Sequence, residues 1–254
     1  MATVDINGLV LGETQIGDNK KYIKILTDRL GKISVIAYGT SGIKSKYFSA
    51  VKPFSYSSFT LTEKSGLYTL KEAELKTSFF KISSDVKTLA LGSYIVSVAD
   101  FVSNEDDDST ELLSLSLNSL YALVNSIKSP QIIKAVFELK CASIIGFAPS
   151  VIACSICNKD IANTPSFMKI YDGNAVCKGC LEKAVMSEYE VLMPLSPSVV
   201  SAMRYVIISD IKKMFNFTLE EQDLSLFSEL AEKYLSAHIE KGFSALEIYK
   251  TLTE

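Results

Sequence analysis

Four cysteines constrain the fold of this chain more than any other feature of its sequence. They form two Cys-x2-Cys pairs, Cys154 with Cys157 and Cys177 with Cys180, and 19 residues separate the two pairs. Two such turns can bring four thiolates around one tetrahedral metal ion, for which zinc is the default and rubredoxin-like iron the alternative. Because four protein ligands leave no open coordination position, this site is expected to be structural.

The surrounding sequence favours a metal site over disulfide bonds. Phe167–Tyr171 and Asn174–Val176 predict two strands, and Asp172-Gly173 between them is typical of a type I′ hairpin turn. The first residues contain no signal-peptide pattern, and no apolar run approaches the roughly 18 residues that span a bilayer. The chain is therefore expected in the cytoplasm, where disulfides are rare.

The first 80 residues predict a small closed barrel of five strands. Short segments of alternating apolar and polar residues are separated by turn residues such as Asp28–Gly31 and Ser65-Gly66. These segments are Val4–Leu11, Tyr22–Thr27, Lys32–Tyr38, Phe54–Thr62 and Leu67–Glu74. An OB-fold is the commonest five-stranded barrel, and an SH3-like barrel is the alternative.

Beyond residue 80 the period of the apolar residues becomes helical. Ser129-Pro130 and Ser196-Pro197 each provide an N-cap serine followed by a proline, which predicts two helix starts. The expected fold class is an α+β multi-domain protein, in which an α-helical domain with an inserted four-cysteine zinc knuckle follows the OB-fold barrel. The predicted boundaries are residues 1–80 for the barrel, 81–150 and 186–254 for the helical domain, and 151–185 for the knuckle.

The sequence offers no residues for a familiar catalytic site. His238 is the only histidine, which excludes the zinc-deaminase and metalloprotease motifs. It continues the apolar stripe of a predicted helix, where a partly buried histidine with a satisfied hydrogen bond is expected. The glycines form neither a P-loop nor a dinucleotide-binding motif. The sequence therefore predicts a protein that is not an enzyme.

Charge is unevenly distributed along the chain. Residues 1–80 hold 11 Lys and Arg against 7 Asp and Glu, whereas the remaining residues hold 15 against 22. A basic segment on a chain of net charge −3 indicates a surface that faces a polyanion. Arginine occurs only as Arg29 and Arg204, so lysine must supply most phosphate contacts, which favours binding of the nucleic-acid backbone over base recognition.

Six segments, in their order along the chain, resemble the RecO family of bacterial recombination mediators. These segments are Gly8–Glu13, Ile23–Gly39, Gly39–Lys46, Val51–Phe54, Glu138–Pro149 and Tyr234–Ser244. The fifth lies directly ahead of the first cysteine pair, and together they cover nearly the whole chain. The resemblance implies a nucleoid-associated protein that binds single- and double-stranded DNA, anneals complementary strands, and works with RecR and the single-strand DNA-binding protein to load RecA.

The predicted DNA contacts are lysines that neutralise phosphates and tyrosines on which bases can stack. They are Lys20, Lys21, Lys24, Lys32, Lys44, Lys46 and Lys52, with Tyr22, Tyr38 and Tyr47. The resemblance also implies that the helical domain binds the acidic C-terminal tail of the single-strand DNA-binding protein. Arg204, Met203 and Ile207 are the candidate residues for this tail, because it ends in an apolar residue and a free carboxylate.

A protein-interaction scaffold is the alternative function. In that alternative the helical domain holds a partner peptide, the zinc site is structural, and the barrel does not touch DNA. Retention on a heparin column, compared with partner pulldown, separates the two functions.

Overall fold

The computed structural model of the chain describes residues 2–16, 20–40 and 45–253. Its backbone contacts divide the chain into two compact units, residues 1–125 with 243–254, and residues 126–242. Within the described ranges, no helix is long and apolar enough to cross a membrane.

The N-terminal strands close into the expected barrel. They are β1 (Ala2–Gln15), β2 (Lys20–Thr27), β3 (Lys32–Tyr38), β4 (Ser55–Lys64) and β5 (Leu67–Ser78). Hydrogen bonds join them in the order β1-β2-β3-β5-β4, and β4 pairs with β1 to close the barrel. The β3–β5 pair is parallel and the other pairs are antiparallel. This Greek-key closure confirms the predicted OB-fold over the SH3-like alternative.

Side-chain alternation determines which face of each barrel strand is buried. Ile23 and Ile25 of β2 are buried, and they lie opposite the equally buried Val35 and Ile33 of β3. Successive side chains of a strand point to opposite faces, so the residues between these four lie on the outer face. The outer face of β2 and β3 therefore carries the lysines and tyrosines that alternate with the core.

Six α-helices follow among the described residues. They are α1 (Val86–Val102), α2 (Thr110–Val124), α3 (Pro130–Ile144), α4 (Pro197–Ile208), α5 (Glu221–Ile239) and α6 (Ser244–Thr253). The first unit contains the barrel, α1, α2 and α6, and the second unit contains α3, α4 and α5. Ser129 and Ser196 cap α3 and α4 by accepting hydrogen bonds from backbone amides in the first turns, which confirms both predicted helix starts.

A small sheet supports the cysteine segment in the second unit. It contains β6 (Ser166–Lys169), β7 (Asn174–Cys177) and β8 (Leu192–Leu195), in the order β7-β6-β8. The predicted hairpin is confirmed as the antiparallel β6–β7 pair, but the predicted two-residue type I′ turn is wrong. Lys169 pairs with Asn174, so residues 170–173 form a four-residue turn.

A contact remote in sequence explains the longer turn. The carboxylate of Glu190, which precedes β8, accepts hydrogen bonds from the backbone amides of Tyr171 at 3.0 Å and Asp172 at 3.2 Å. The Lys169 ammonium also bonds to the Asp172 carboxylate across the turn. Glu190 lies outside the hairpin, so the local sequence could not predict this arrangement.

Candidate functional site

The four predicted metal ligands converge on one point of the second unit. Cys154, Cys157, Cys177 and Cys180 are free thiols whose Sγ atoms all lie within 4.8 Å of one another. The Sγ atoms of Cys157 and Cys177 are 3.8 Å apart. A tetrahedron with metal–sulfur bonds of about 2.3 Å requires sulfur–sulfur separations of about 3.8 Å. The arrangement is therefore compatible with one tetrahedral metal ion.

Backbone amides favour negative charge on Cys154. Burial alone would raise the pKa of this thiol, but hydrogen bonds from the amides of Cys177, Cys157 and Ile156 lower that pKa to about 6. The neighbouring sulfurs of Cys177 and Cys157 instead raise the pKa of Cys180 to about 12. Four adjacent thiols can all ionise only when a cation shares their charge, a condition that a bound divalent metal meets.

Arg204 of α4 holds the chain on both sides of the first cysteine pair. Its Nε donates to the carbonyl oxygen of Val151 at 3.0 Å, and its Nη2 donates to that of Ile152 at 2.6 Å. The same Nη2 lies 3.1 Å from a carboxylate oxygen of Asp160. Because these partners bracket Cys154 and Cys157 in the chain, Arg204 fixes the loop that presents both thiols.

Part of the predicted DNA surface is assembled on the outer face of β2 and β3. Lys20 of β2 lies opposite Tyr38 of β3, and Tyr22 lies two residues further along the same face of β2. Tyr22 and Tyr38 are 37% and 57% exposed, so both rings are accessible to a stacking base. The Lys20 ammonium lies 5.3 Å from the centre of the Tyr22 ring. Lys24 follows on the same face, which places cations and aromatic rings side by side.

Asp100 of α1 contacts the edge of this outer face. Its carboxylate accepts a hydrogen bond from Lys24 at 2.8 Å and lies 3.3 Å from the Lys32 ammonium. Lys32 also donates to the backbone carbonyl of Asp100 at 2.5 Å. One carboxylate thus holds two of the predicted DNA-binding lysines. The sequence did not indicate this contact, because Asp100 follows these lysines by 76 and 68 residues.

Glu13 holds two further predicted lysines, at the end of β1. It accepts from Lys21 at 2.7 Å and from Lys52 at 2.5 Å. Lys21 is only 1% exposed, so its ammonium serves this partly buried pair and does not lie on the surface. Burial alone would raise the pKa of Glu13, but hydrogen bonds and charge from both lysines hold that pKa below its ordinary value. The predicted DNA contact of Lys21 is corrected accordingly.

Lys46 and Tyr47 are also predicted to contact DNA, but they do not lie on the outer face of β2 and β3. Lys46 is exposed, and its ammonium lies 5.3 Å from the ring centre of Tyr47, which is half-buried against the barrel core. Both residues line a cavity of about 620 Å³ together with acids of β1 and β5. These acids are Asp5, Glu72 and Glu74. Arg29 lines the same cavity, so this side of the barrel carries acids and cations together. Lys44 lies outside the described residues.

The residues predicted for the partner peptide differ in their accessibility. Met203 is fully buried in the second unit and cannot contact a ligand, whereas Ile207 is half-buried. Ile208 is 81% exposed and lies one helical turn from Arg204 on α4, and Ile152, which accepts a hydrogen bond from Arg204, is 68% exposed. The structure thus places exposed apolar side chains beside this cation, and sequence periodicity missed them.

His238 is partly buried and hydrogen-bonded. Its Nδ1–H donates to the backbone carbonyl of Tyr234 at 2.8 Å, one helical turn earlier on α5. The imidazole packs at tilted angles against the rings of Tyr234 and Phe147, with centroid distances of 4.2 and 4.9 Å. Both neighbouring rings give the histidine a packing role in the second unit.

Comparison with known proteins gives consistent matches along the chain. The family model for "Recombination protein O N terminal" matches residues 1–79, and that for "Recombination protein O C terminal" matches residues 83–247. The "DNA repair protein RecO" of Acetivibrio thermocellus is 28% identical over 97% of this chain and 96% of its own length. The protein of the same name from Clostridium acetobutylicum is 28% identical over 98% and 99% of the two chains. The Bacillus subtilis protein is 27% identical over 89% and 86%.

Proposed function

Because the chain belongs to the RecO family of recombinational DNA repair proteins, we propose that it is a non-catalytic mediator that binds and anneals DNA strands. In this role it assists RecA loading, together with RecR, on DNA coated by the single-strand DNA-binding protein, at the bacterial nucleoid. The basic and aromatic outer face of β2 and β3 is the observation that carries the proposal. In OB-folds the face of strands 2 and 3 is a common site for oligonucleotides.

The residue types on this face suit annealing. Lysine ammonium groups neutralise phosphates without reading bases, and neutralisation reduces the repulsion between two complementary strands. Tyr22 and Tyr38 can each stack a base regardless of sequence. On the other side of the barrel, three acids lie beside Arg29 and Lys46 in one cavity, which makes that side less favourable for phosphates than the outer face of β2 and β3.

The cysteine site has a structural part in this proposal. We infer that the four thiolates hold one Zn²⁺, which links the loop fixed by Arg204 to the β6–β7 hairpin and to the short helix Lys178–Lys183. A bound Zn²⁺ supplies cross-linking and charge neutralisation here, because four thiolates leave no position for a substrate.

Removing charge from the outer face of β2 should weaken DNA binding. Lys20→Gln combined with Lys24→Gln is expected to lower the affinity for single-stranded DNA several-fold and equally for unrelated sequences. The salt dependence of log K should become shallower by up to about 1.4, because each neutralised phosphate contributes about 0.7. Fluorescence anisotropy with labelled oligonucleotides, followed by a strand-annealing assay, measures both effects.

A matched variant controls for net charge. Lys81→Gln combined with Lys87→Gln removes two exposed lysines around the start of α1, at the other end of the helix from Asp100. This control should bind and anneal DNA like the wild type. Equal losses of DNA affinity in the two double variants would show that DNA does not bind to one specific face. A wild-type protein without salt-dependent DNA binding would favour the interaction scaffold.

We further propose that Arg204, Ile207 and the adjacent Ile152 and Ile208 receive the tail of the single-strand DNA-binding protein. Arg204 already donates to two backbone carbonyls, so a terminal carboxylate would compete with Asp160 for the guanidinium. The exposed isoleucines supply the apolar contact that the end of such a peptide needs.

Two substitutions test this peptide site. Ile208→Ser is expected to weaken binding of a labelled acidic peptide, ending in an apolar residue and a free carboxylate, several-fold without changing the melting temperature. Asp160→Asn should strengthen the same binding, because it removes the carboxylate that competes for Arg204. Anisotropy titrations that give wild-type affinities for both variants would remove this surface from the proposed site.

A further inference from the structure

Asp100 stands at a helix position that does not favour an acid. It lies two residues before the C-terminal end of α1, where the helix dipole disfavours negative charge. Its carboxylate is instead stabilised by Lys24 and Lys32, which approach from β2 and β3. The side chain therefore occupies this position because of the two lysines and not because of its own helix.

The Lys24 side of this contact is open to solvent on the proposed DNA-binding face, whereas the Asp100 Oδ1 atom that faces Lys32 is buried. The side chains of Lys24, Lys32 and Asp100 are 52%, 26% and 29% exposed. Asp100, Lys24 and Tyr22 border one cavity of about 490 Å³ on the outer face of β1, β2 and β3. Glu13 also lines this cavity, and Lys32 does not. A phosphate that enters the cavity therefore meets the Lys24 ammonium first, and Lys32 becomes available once Asp100 has moved away from it.

We propose that Asp100 is a built-in competitor of the DNA backbone. Its carboxylate occupies the position between Lys24 and Lys32 that a phosphate would take, and a bound strand displaces it. The proposal rests on the proposed function of this face. It gives the barrel a moderated affinity for DNA, so that annealed strands can leave the surface on which they met.

The Glu13 contact differs from the Asp100 contact in the exposure of one of its lysines. Glu13 holds Lys21, whose side chain is 2% exposed, so a phosphate cannot reach this ammonium from outside. Lys52, the other partner of Glu13, is 33% exposed, so only the Lys21 part of the Glu13 contact is closed to a phosphate. In the Asp100 contact neither lysine is closed in this way, and exposed ion pairs exchange readily.

Removing the competing carboxylate should strengthen DNA binding. Asp100→Asn is expected to raise the affinity for an oligothymidylate roughly three- to tenfold at low salt, because Lys24 is released from an exposed ion pair and Lys32 from a partly buried one. The salt dependence of log K should steepen by about 0.7 to 1.4, corresponding to one or two additional phosphates. Asp100→Ala removes the same carboxylate and provides a second variant if the amide fails to fold. Asp100→Glu retains the charge and should bind like the wild type.

The control changes net charge by the same amount on the opposite side of the barrel. Glu72→Gln neutralises an exposed acid on the outer face of β5 and is expected to change the affinity less than about twofold. Equal gains from Asp100→Asn and Glu72→Gln would overturn the proposal, since net charge alone would then explain them. Weaker binding by both Asp100→Asn and Asp100→Ala would also overturn it, because Asp100 would then position the lysines for DNA.

The same titrations separate this inference from the proposed function. A wild-type protein that fails to bind DNA in a salt-dependent manner contradicts the proposed function itself. A wild type that binds DNA, with an Asp100→Asn variant that binds identically, contradicts only the competing role of Asp100.

Discussion

Cys180→Ser should abolish metal binding and unfold most of the second unit. A structural Zn²⁺ contributes on the order of 10 kcal/mol to the folding of a small metal-binding domain, and whole domains are stable by only about 5–15 kcal/mol. Loss of one of four ligands is therefore expected to cost several kcal/mol. Elemental analysis should find about one zinc per wild-type chain and none in the variant, and circular dichroism should show a much lower melting temperature.

Cys141→Ala provides the matched control. Cys141 is fully buried on α3, and burial with the nearby Glu138 charge raises the pKa of its thiol to about 12, so it is neither a metal ligand nor a reactive group. Its replacement should leave the zinc content unchanged and cost only about 1 kcal/mol. Wild-type protein without bound metal, whose four thiols react freely in the native state, would contradict the structural site. Visible absorption typical of a ferric tetrathiolate would identify the bound metal as iron instead of zinc.

The cysteine site and the barrel could be predicted because their signals are local. Two Cys-x2-Cys turns specify a four-sulfur cluster through spacing alone, and the structure brings all four Sγ atoms together. Alternating residues such as Ile23 and Ile25 define the barrel strands, and therefore also the outward direction of Tyr22 and Lys24. Sequence patterns of period two or of fixed spacing need no knowledge of the rest of the chain.

The charge environment of the site could not be predicted, because it depends on residues that are remote in sequence. Asp100 and Glu13 each neutralise two lysines that the sequence presented as available for DNA. Arg204 similarly bonds to the loop around Cys154, more than 40 residues away in the chain. The number of lysines in the sequence gives the number of potential cations. Which carboxylates neutralise them depends on which helix packs against which strand. These partners give the outer face of β2 and β3 fewer available cations than its sequence suggests.

The sequence pattern of α3 gives no indication that this helix contributes to a buried ion cluster. Its apolar stripe predicts one buried face, but Lys134 and Glu138 are also buried, with 3% and 0% exposure. The Lys134 ammonium lies 3.1 Å from Glu138 on the same helix and 2.7 Å from Glu232 of α5. A lysine and a glutamate four residues apart usually form an exposed pair, so the sequence gives no indication of this burial.

Lys134→Met should therefore destabilise the protein strongly. The substitution leaves the buried Glu138 carboxylate facing Glu232 without the ammonium between them, and removal of one partner from a buried ion pair costs about 3–5 kcal/mol. Lys233→Met is the matched control, since Lys233 forms an i,i+4 pair with Glu229 in which both side chains are about half exposed. This control is expected to lower the free energy of unfolding by only about 0.3–0.5 kcal/mol.

Urea unfolding followed by circular dichroism measures the free energy of unfolding of both variants. A loss for Lys134→Met equal to that of Lys233→Met would show that the ion cluster does not contribute to the stability of the second unit.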